Sequence, residues 1–320
     1  MNLLDVYKEM NTEAKCLAFL EAMRWPNGVK CLACNSDRIT AITAKGKRNK
    51  KTGKVGPDRS LYQCKECRFQ FTATTGTVYH DTHLPLHKWF LAIALITESK
   101  KGISANQLKR ALGVQYRTAW YLAHRIRKSM VEANPKKLKG VVEVDETYVG
   151  GKQRGWKKKL KNKEVVMGIR ERGGDLRLRH IENNSVEELG KQIKEHISPD
   201  VKMVVSDEFI AYPAAMISAG IHGTKHETIK HKDKIYVRGD VHTNTVESAF
   251  SLFKRGLTGA FHKVSLKHLQ RYLDEFEFRF NNRKSPDLFG MTVRRMATVG
   301  GMPYAQLIEE HAFTPFIRPK

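Results

Sequence analysis

The stretch VVEVDETYVGG, Val141 to Gly151, sets Glu143, Asp145 and Glu146 among valines. A strand of that composition carries carboxylates toward an interior, and a bare carboxylate there is costly unless something positive sits beside it. Two further acids occupy comparable settings: Asp207 closes the apolar run KMVVSDEF, and Glu247 lies in HTNTVESAFSLFK. Three carboxylates drawn together repel one another, and divalent metal relieves the repulsion. The chemistry that follows is two-metal. A pair of Mg2+ ions ~4 Å apart, with Mn2+ able to substitute, activates a water or a 3′-hydroxyl and stabilises the leaving oxygen in an in-line displacement at phosphorus. Lys254 follows Glu247 by two helical turns, so both project from one face and its ammonium can meet a DNA phosphate beside the metals. Among the neighbours, Glu143 shares a strand face with Asp145 and is expected at a solvated edge, with an outer-sphere role beside the metals as the alternative. Glu208 is expected to point away from Asp207, because strand side chains alternate. His242 is left between touching DNA, positioning a carboxylate and a structural hydrogen bond.

A second chemistry is written in the cysteines. Four of the five form two Cys-x-x-Cys pairs, Cys31 with Cys34 in CLAC and Cys64 with Cys67 in CKEC. Two such knuckles bring four thiolates into a tetrahedron around one structural Zn2+. Zinc is favoured over disulfides, since paired Cys-x-x-Cys disulfides would be redox centres without the fold that serves them. The basic insert AKGKRNKKTGKVGPDR between the knuckles reads as a hairpin tip or solvated loop, or as a phosphate contact. Cys16 is expected in the core, and His80, His83 and His87 stay unassigned because four thiolates complete the site.

The whole chain agrees with a nucleic-acid partner. Of 320 residues, 57 are Lys or Arg and 33 Asp or Glu, a formal charge of +24 spread along the sequence. A field of that sign favours a polyanion, and double-stranded DNA is the expected one; a basic protein bound to ribosomes or to nothing is the bland alternative. Hydrophobic residues make up 41%, which excludes disordered and fibrous classes. WFLAIALI is far shorter than the ~20 residues of a membrane span, and the N-terminus lacks the order of a signal peptide. A cytoplasmic protein without membrane partners is expected.

The elements that must position these residues follow from periodicity. Leu86 to Met130 reads as a long apolar helix, a short helix opened by a Ser104/Gln107 capping box and ended at Gly113, and a second helix from about Gln115. This is the helix-turn-helix pattern. Gln115, Tyr116, Arg117, His124, Arg125 and Arg127 can reach bases or phosphates, while Ala119, Leu122 and Ile126 supply a core face. ANPKKLKG is a linker. Beyond it come strands at 141–149, 164–172 and 176–183, the last two joined through GGD. A helix opened by Ser185 with Glu188 follows, then the strand ending in Asp207, a helix to Gly220, a strand near HETIKH and the helix bearing Glu247. That order matches a ribonuclease H-like mixed sheet, in which Asp145, Asp207 and Glu247 converge at one edge. The run GGKQRGWKKKLKNK leaves the strand of Asp145, so Lys157, Lys158 and Lys159 are expected on the DNA backbone near the cut. The fold class is α+β multidomain: helix plus zinc ribbon at 1–80, helix-turn-helix at 81–135, the ribonuclease H-like mixed-sheet α/β catalytic domain at 136–290 and a tail at 291–320.

The segments CLAC…CKEC, VEVDETYVGGK, VVSDEF, HTNTVESAFSLFKRG and HKVSLKHLQRYLDEFEFRFNNR resemble bacterial insertion-sequence transposases of the DDE class, in the group with an N-terminal zinc ribbon. The resemblance implies binding to the ends of the element and to target DNA, two-metal strand cleavage and strand transfer, and a homo-oligomer on DNA acting at the nucleoid. It places the carboxylates on Asp145, Asp207 and Glu247 and the basic position on Lys254. Asn244, one turn earlier, is the alternative third ligand. Arg271, Tyr272, Arg279, Asn281, Asn282 and Arg283 are shared with the family without a role readable from their chemistry. A DNA-binding regulator derived from a transposase, or a metal-dependent nuclease that does not join strands, are the competing readings.

Overall fold

The computed structural model describes residues 1–45, 53, 59–150, 163–229 and 241–309. Two short helices, α1 (Leu3–Glu9) and α2 (Glu13–Arg24), precede a three-stranded antiparallel sheet of β1 (Ile39–Ala44), β2 (Arg59–Cys64) and β3 (Gln70–Phe71). Then come α3 (Leu86–Glu98), α4 (Ala105–Leu112) and α5 (Tyr116–Met130). The longest part runs β4 (Val141–Gly150), β5 (Lys163–Glu171), β6 (Leu176–Ile181), α6 (Val186–His196), β7 (Met203–Ser206), α7 (Ala211–Ser218), β8 (His226–Thr228), α8 (Asn244–Gly256) and α9 (Leu269–Asn281). Helices α10 (Leu288–Thr298) and α11 (Tyr304–Ile308) end it. Among the described residues no helix is long and apolar enough to cross a membrane.

Two compact units result, one from Met1–Glu98, Leu108–Ser129 and Pro286–Tyr304, the other from Ser99–Gln107, Met130–Ser285 and the stretch from Ala305. Residues 286–304, read from the sequence as the end of the core and a tail, thus belong with the N-terminal helices. The reason is aromatic packing: Phe289 of α10 lies 5.9 Å from the ring of Phe19 and 5.7 Å from that of Phe90, and Val293 and Met296 are buried beside them.

The second unit is built on the five-stranded sheet, ordered β6-β5-β4-β7-β8. β4 pairs antiparallel with β5 and parallel with β7, and β5 with β6 antiparallel, β7 with β8 parallel. This is the ribonuclease H-like arrangement. Period-2 alternation sorts its faces. Val142, Val144, Met167 and Ile169 pack against Leu189, Ile193, Tyr212 and Ala215 of α6 and α7. Val166 and Leu178 pack on the opposite face against Val246, Phe250 and Phe253 of α8 and Leu273 and Phe276 of α9.

β6 is an edge strand, and an open edge is a template for unwanted pairing. Polar side chains of α9 occupy it. Asn281 accepts from the Leu176 N–H at 2.8 Å and donates to its carbonyl at 2.9 Å. Glu277 accepts from the Leu178 N–H, and Gln270 from that of His180 while donating to the Leu178 carbonyl. Asn281 therefore acquires a role that its residue type alone did not reveal.

Candidate active site and metal centre

Each cysteine pair sits on a knuckle. The Cys31 carbonyl accepts from Asn35 N–H at 3.0 Å and the Cys64 carbonyl from Arg68 N–H at 3.1 Å. Asn35 and Arg68 turn the chain with φ of 60° and 62°. The four Sγ atoms lie within 4.8 Å of one another, with Cys31 to Cys67 at 3.5 Å and Cys34 to Cys64 at 3.6 Å. A tetrahedron with Zn–S bonds of ~2.3 Å has S···S edges of ~3.8 Å, so the set fits zinc. Electrostatics agree. Against burial, which would raise it, the N–H groups of Cys34 and Ala33 draw the Cys31 thiol down to about 6. Despite the Ser36 N–H, Cys34 is pushed up to about 12 by the Cys67 thiol and by burial. Thiolates in such proximity require a cation. This core is otherwise small, consisting of Cys31, Cys64 and Phe71 with Trp25, Val29, Ile39 and Tyr62 around them.

In the segment expected to be a helix-turn-helix the capping box forms, Ser104 Oγ accepting from the Gln107 N–H and Gln107 Oε1 from that of Ser104, both at 3.2 Å. Gly113 turns the chain at φ 60°. Gln115, Tyr116 and Arg117 are exposed at the start of α5. Arg125 corrects the sequence reading: it is 6% exposed and donates to the carbonyls of Val78 and His80. Its guanidinium also lies over the rings of Trp89 and Tyr121. His124 and Arg127 are buried as well. Every residue from Leu122 to Arg127 is buried, so this part of α5 is enclosed on all its faces, and burial outweighs residue type. Lys157, Lys158 and Lys159 lie outside the described residues.

The carboxylates come from three elements of the second unit. On the parallel pair β4–β7, Glu143 faces Val205, so Asp145 and Asp207 each stand two residues beyond that position. Asp145 is opposite Gly168 of β5. A Cβ on Gly168 would come 2.6 Å from Phe250 and 2.8 Å from Val246; its absence lets α8 approach the sheet and brings Glu247 toward Asp145. A cavity of about 660 Å3 is lined by Asp145, Glu146, Glu247, Lys254 and Arg255 among others. Asn244 is exposed and does not line it.

Burial first, then the charges of Asp207, Glu146 and Glu247, lift the Asp145 carboxyl to about 7 despite the Glu146 N–H beside it. Burial, against the Tyr212 hydroxyl at 2.6 Å and with Asp207 adding, lifts Glu146 likewise to about 7. The other buried oxygen of Glu146 has no hydrogen-bond partner among the described residues. An oxygen-rich, charge-frustrated site of this kind suits a hard divalent cation. Among the described residues, though, only the four cysteines gather three or more ligand atoms within 4.8 Å; the carboxylates are coupled through charge without closing on one point.

Glu143 does not stand at a solvated edge. It is 0% exposed, and one oxygen accepts from the Thr245 N–H at 2.9 Å, the Thr245 hydroxyl at 2.8 Å and the Val246 N–H at 3.0 Å. The other accepts from Arg172 Nε at 2.7 Å, with the His242 ring nitrogen at 3.2 Å. A strand residue thus caps α8, whose own N-cap, Thr243, makes no side-chain cap bond. Thr243 instead donates to Glu247 at 2.7 Å. The buried carboxylate finds its positive partners in Arg172 and the helix N-terminus, and ties the strand of Asp145 to the helix of Glu247. Glu143→Ala is expected to destabilise the protein by about 3–5 kcal/mol, the cost of stranding one member of a buried pair, read from the denaturant midpoint. Adding Arg172→Met should recover part of that loss, and an unchanged midpoint in Glu143→Ala would refute the clamp.

Residues 137–281 match the model of the ISXO2-like transposase domain and residues 11–70 that of the transposase zinc-ribbon domain. The chain is 28% identical over 291 residues to an uncharacterized protein in transposable element ISH50 of Halobacterium salinarum, covering 85% of this chain and 92% of that relative. It is also similar to the crystal structure of the Mos1 strand transfer complex, at 11% identity and a TM-score of 0.29 over 65% of this chain and 74% of that one. That likeness is too slight to carry an inference.

Proposed function

Since the chain belongs to the IS1595 family of DDE transposases with an N-terminal zinc ribbon, we propose that it binds the ends of its own element and cuts and joins DNA strands there with two divalent metal ions. The observation that carries this reading is the placement of Asp145 of β4 and Glu247 and Lys254 of α8 around one cavity, with Asp207, at the end of β7, near enough to help raise the Asp145 carboxyl. Asp145, Asp207 and Glu247 would hold the ions, Mg2+ or in its place Mn2+. The bound cations supply Lewis acidity toward the attacking hydroxyl and the leaving oxygen.

The protein's own groups do the positioning. Glu143 and Arg172 hold α8 against β4, which keeps Glu247 and Asp145 at one separation. Lys254 reaches a phosphate flanking the reacting one, as a flexible point charge suits. Glu247 is favoured over Asn244 because Glu247 lines the cavity and Asn244 does not. Gln115, Tyr116 and Arg117, exposed at the start of α5, are the residues to read the ends, with phosphate contacts from the basic run containing Lys157, Lys158 and Lys159. Double-stranded DNA is the partner, engaged by a homo-oligomer at the bacterial nucleoid.

The test is a reaction of the full chain with a labelled linear duplex ending in the short inverted repeats that flank the gene, a supercoiled target and Mg2+. Nicks that leave 3′-hydroxyls at the element end, followed by joined products, are expected. Cutting without joining would make the protein a nuclease, and binding without cutting a regulator; either outcome sinks the reading.

A further inference from the structure

Lys101 lines the same cavity as Asp145, Glu247, Lys254 and Arg255, yet it comes from the turn before α4, far ahead of the sheet in the chain. Its backbone is held there by several devices, all within the second unit. Arg279 of α9 is buried, paired with buried Glu275 at 3.1 Å. Its other terminal nitrogen, Nη1, donates to the carbonyls of Ser99 at 2.6 Å and Lys100 at 3.1 Å. Gly256, ending α8, passes so near that a Cβ would stand 2.7 Å from the Lys101 carbonyl oxygen. Gly102 has φ 85°, and a Cβ on it would run into the Phe261 ring. Ile103 is buried. A buried ion pair adds little net stability, so one spent on two carbonyls of a turn acts chiefly to fix that turn.

What the turn presents is an exposed ammonium. Among the described residues neither the Lys101 nor the Lys254 side chain makes a hydrogen bond or an ion pair, although both share the cavity with Asp145, Glu146 and Glu247. With the backbone immobilised and the carboxylates reserved for cations, the group left for the Lys101 charge is an anion entering the cavity. We propose that Lys101 binds a backbone phosphate of the DNA strand being cut, adjacent to the reacting phosphate, so that Lys101, Lys254 and Arg255 cradle one strand. The proposal rests on the transposase reading of this site. It gives Arg279 and Glu275 a positioning role: they hold the turn that carries the contact.

The experiment uses the full chain and a fluorescent duplex bearing the flanking inverted repeats. Binding in Ca2+ is followed across salt concentration, and single-turnover cleavage is followed in Mg2+. Lys101→Ala should lower the slope of log affinity against log salt by about 0.9, the contribution of one phosphate contact. It should slow cleavage by about tenfold or more, as loss of a charged hydrogen bond does, with Lys101→Arg restoring most of the rate. A neutral methylphosphonate at a single position beside the cut should slow the wild type similarly and slow Lys101→Ala no further. An unchanged slope and rate in Lys101→Ala would overturn the proposal. So would a loss compounded equally at every methylphosphonate position, which would mark a merely structural role. Asp145→Asn separates the two readings. If it cleaves like the wild type, the metal-site assignment fails while the salt slope still decides Lys101.

Discussion

Asp145→Asn, Asp207→Asn and Glu247→Gln should each abolish strand cleavage and joining in Mg2+ while leaving binding to the element ends intact. Each removes a charged oxygen ligand and keeps the side chain's shape, so the loss should far exceed the roughly 100-fold typical of an outer-shell partner. The same changes act oppositely on stability. The Asp145 carboxyl is lifted from 3.8 to about 7 on folding, so between those pH values the native state holds a proton that the unfolded state has lost. Stability of the metal-free protein therefore falls as pH rises through that window, and Asp145→Asn should flatten the fall and raise the melting temperature at neutral pH. The deciding comparison is Glu247→Gln against Asn244→Ala in the cleavage assay. An active Glu247→Gln with a dead Asn244→Ala would move the third ligand one helical turn toward the N-terminus.

Removing zinc should have the second large effect. Structural zinc in small domains supplies apparent free energies of about 10–16 kcal/mol, and the ribbon core here is too small to replace it. Cys→Ser at Cys31, Cys34, Cys64 or Cys67 should release one zinc per chain by metal analysis. It should also abolish hydrogen-exchange protection in the ribbon strands. The unfolding should stop short of α2 and α3, since Phe19 and Phe90 are packed against Phe289 of α10 independently of the thiolates. Purified protein with no zinc, or a Cys31→Ser variant with wild-type protection in β1 and β2, would refute the assignment.

Much of this protein was legible along the chain because the signals are local. A Cys-x-x-Cys pair specifies its own knuckle, and Ser104 with Gln107 specifies a helix start. Alternation in Val141 to Val149 specifies which side chains share a face. The order of strands and helices then sufficed to anticipate the strand order of the sheet, since few topologies accommodate it, and to set Asp207 and Glu247 near enough for their charges to act on Asp145. Contacts between distant elements decided the rest. Glu143 looks like a surface acid until α8, some hundred residues later, lays its unsatisfied N–H groups on it. Arg125 looks like a DNA contact until the carbonyls of Val78 and His80 engage it. Asn281 serves an edge strand, and Arg279 holds the turn of Lys101. A polar side chain carries the same letters whether it meets water, DNA or a buried carbonyl. Periodicity records which face it takes, and only the packing of elements far apart in sequence determines what that face meets.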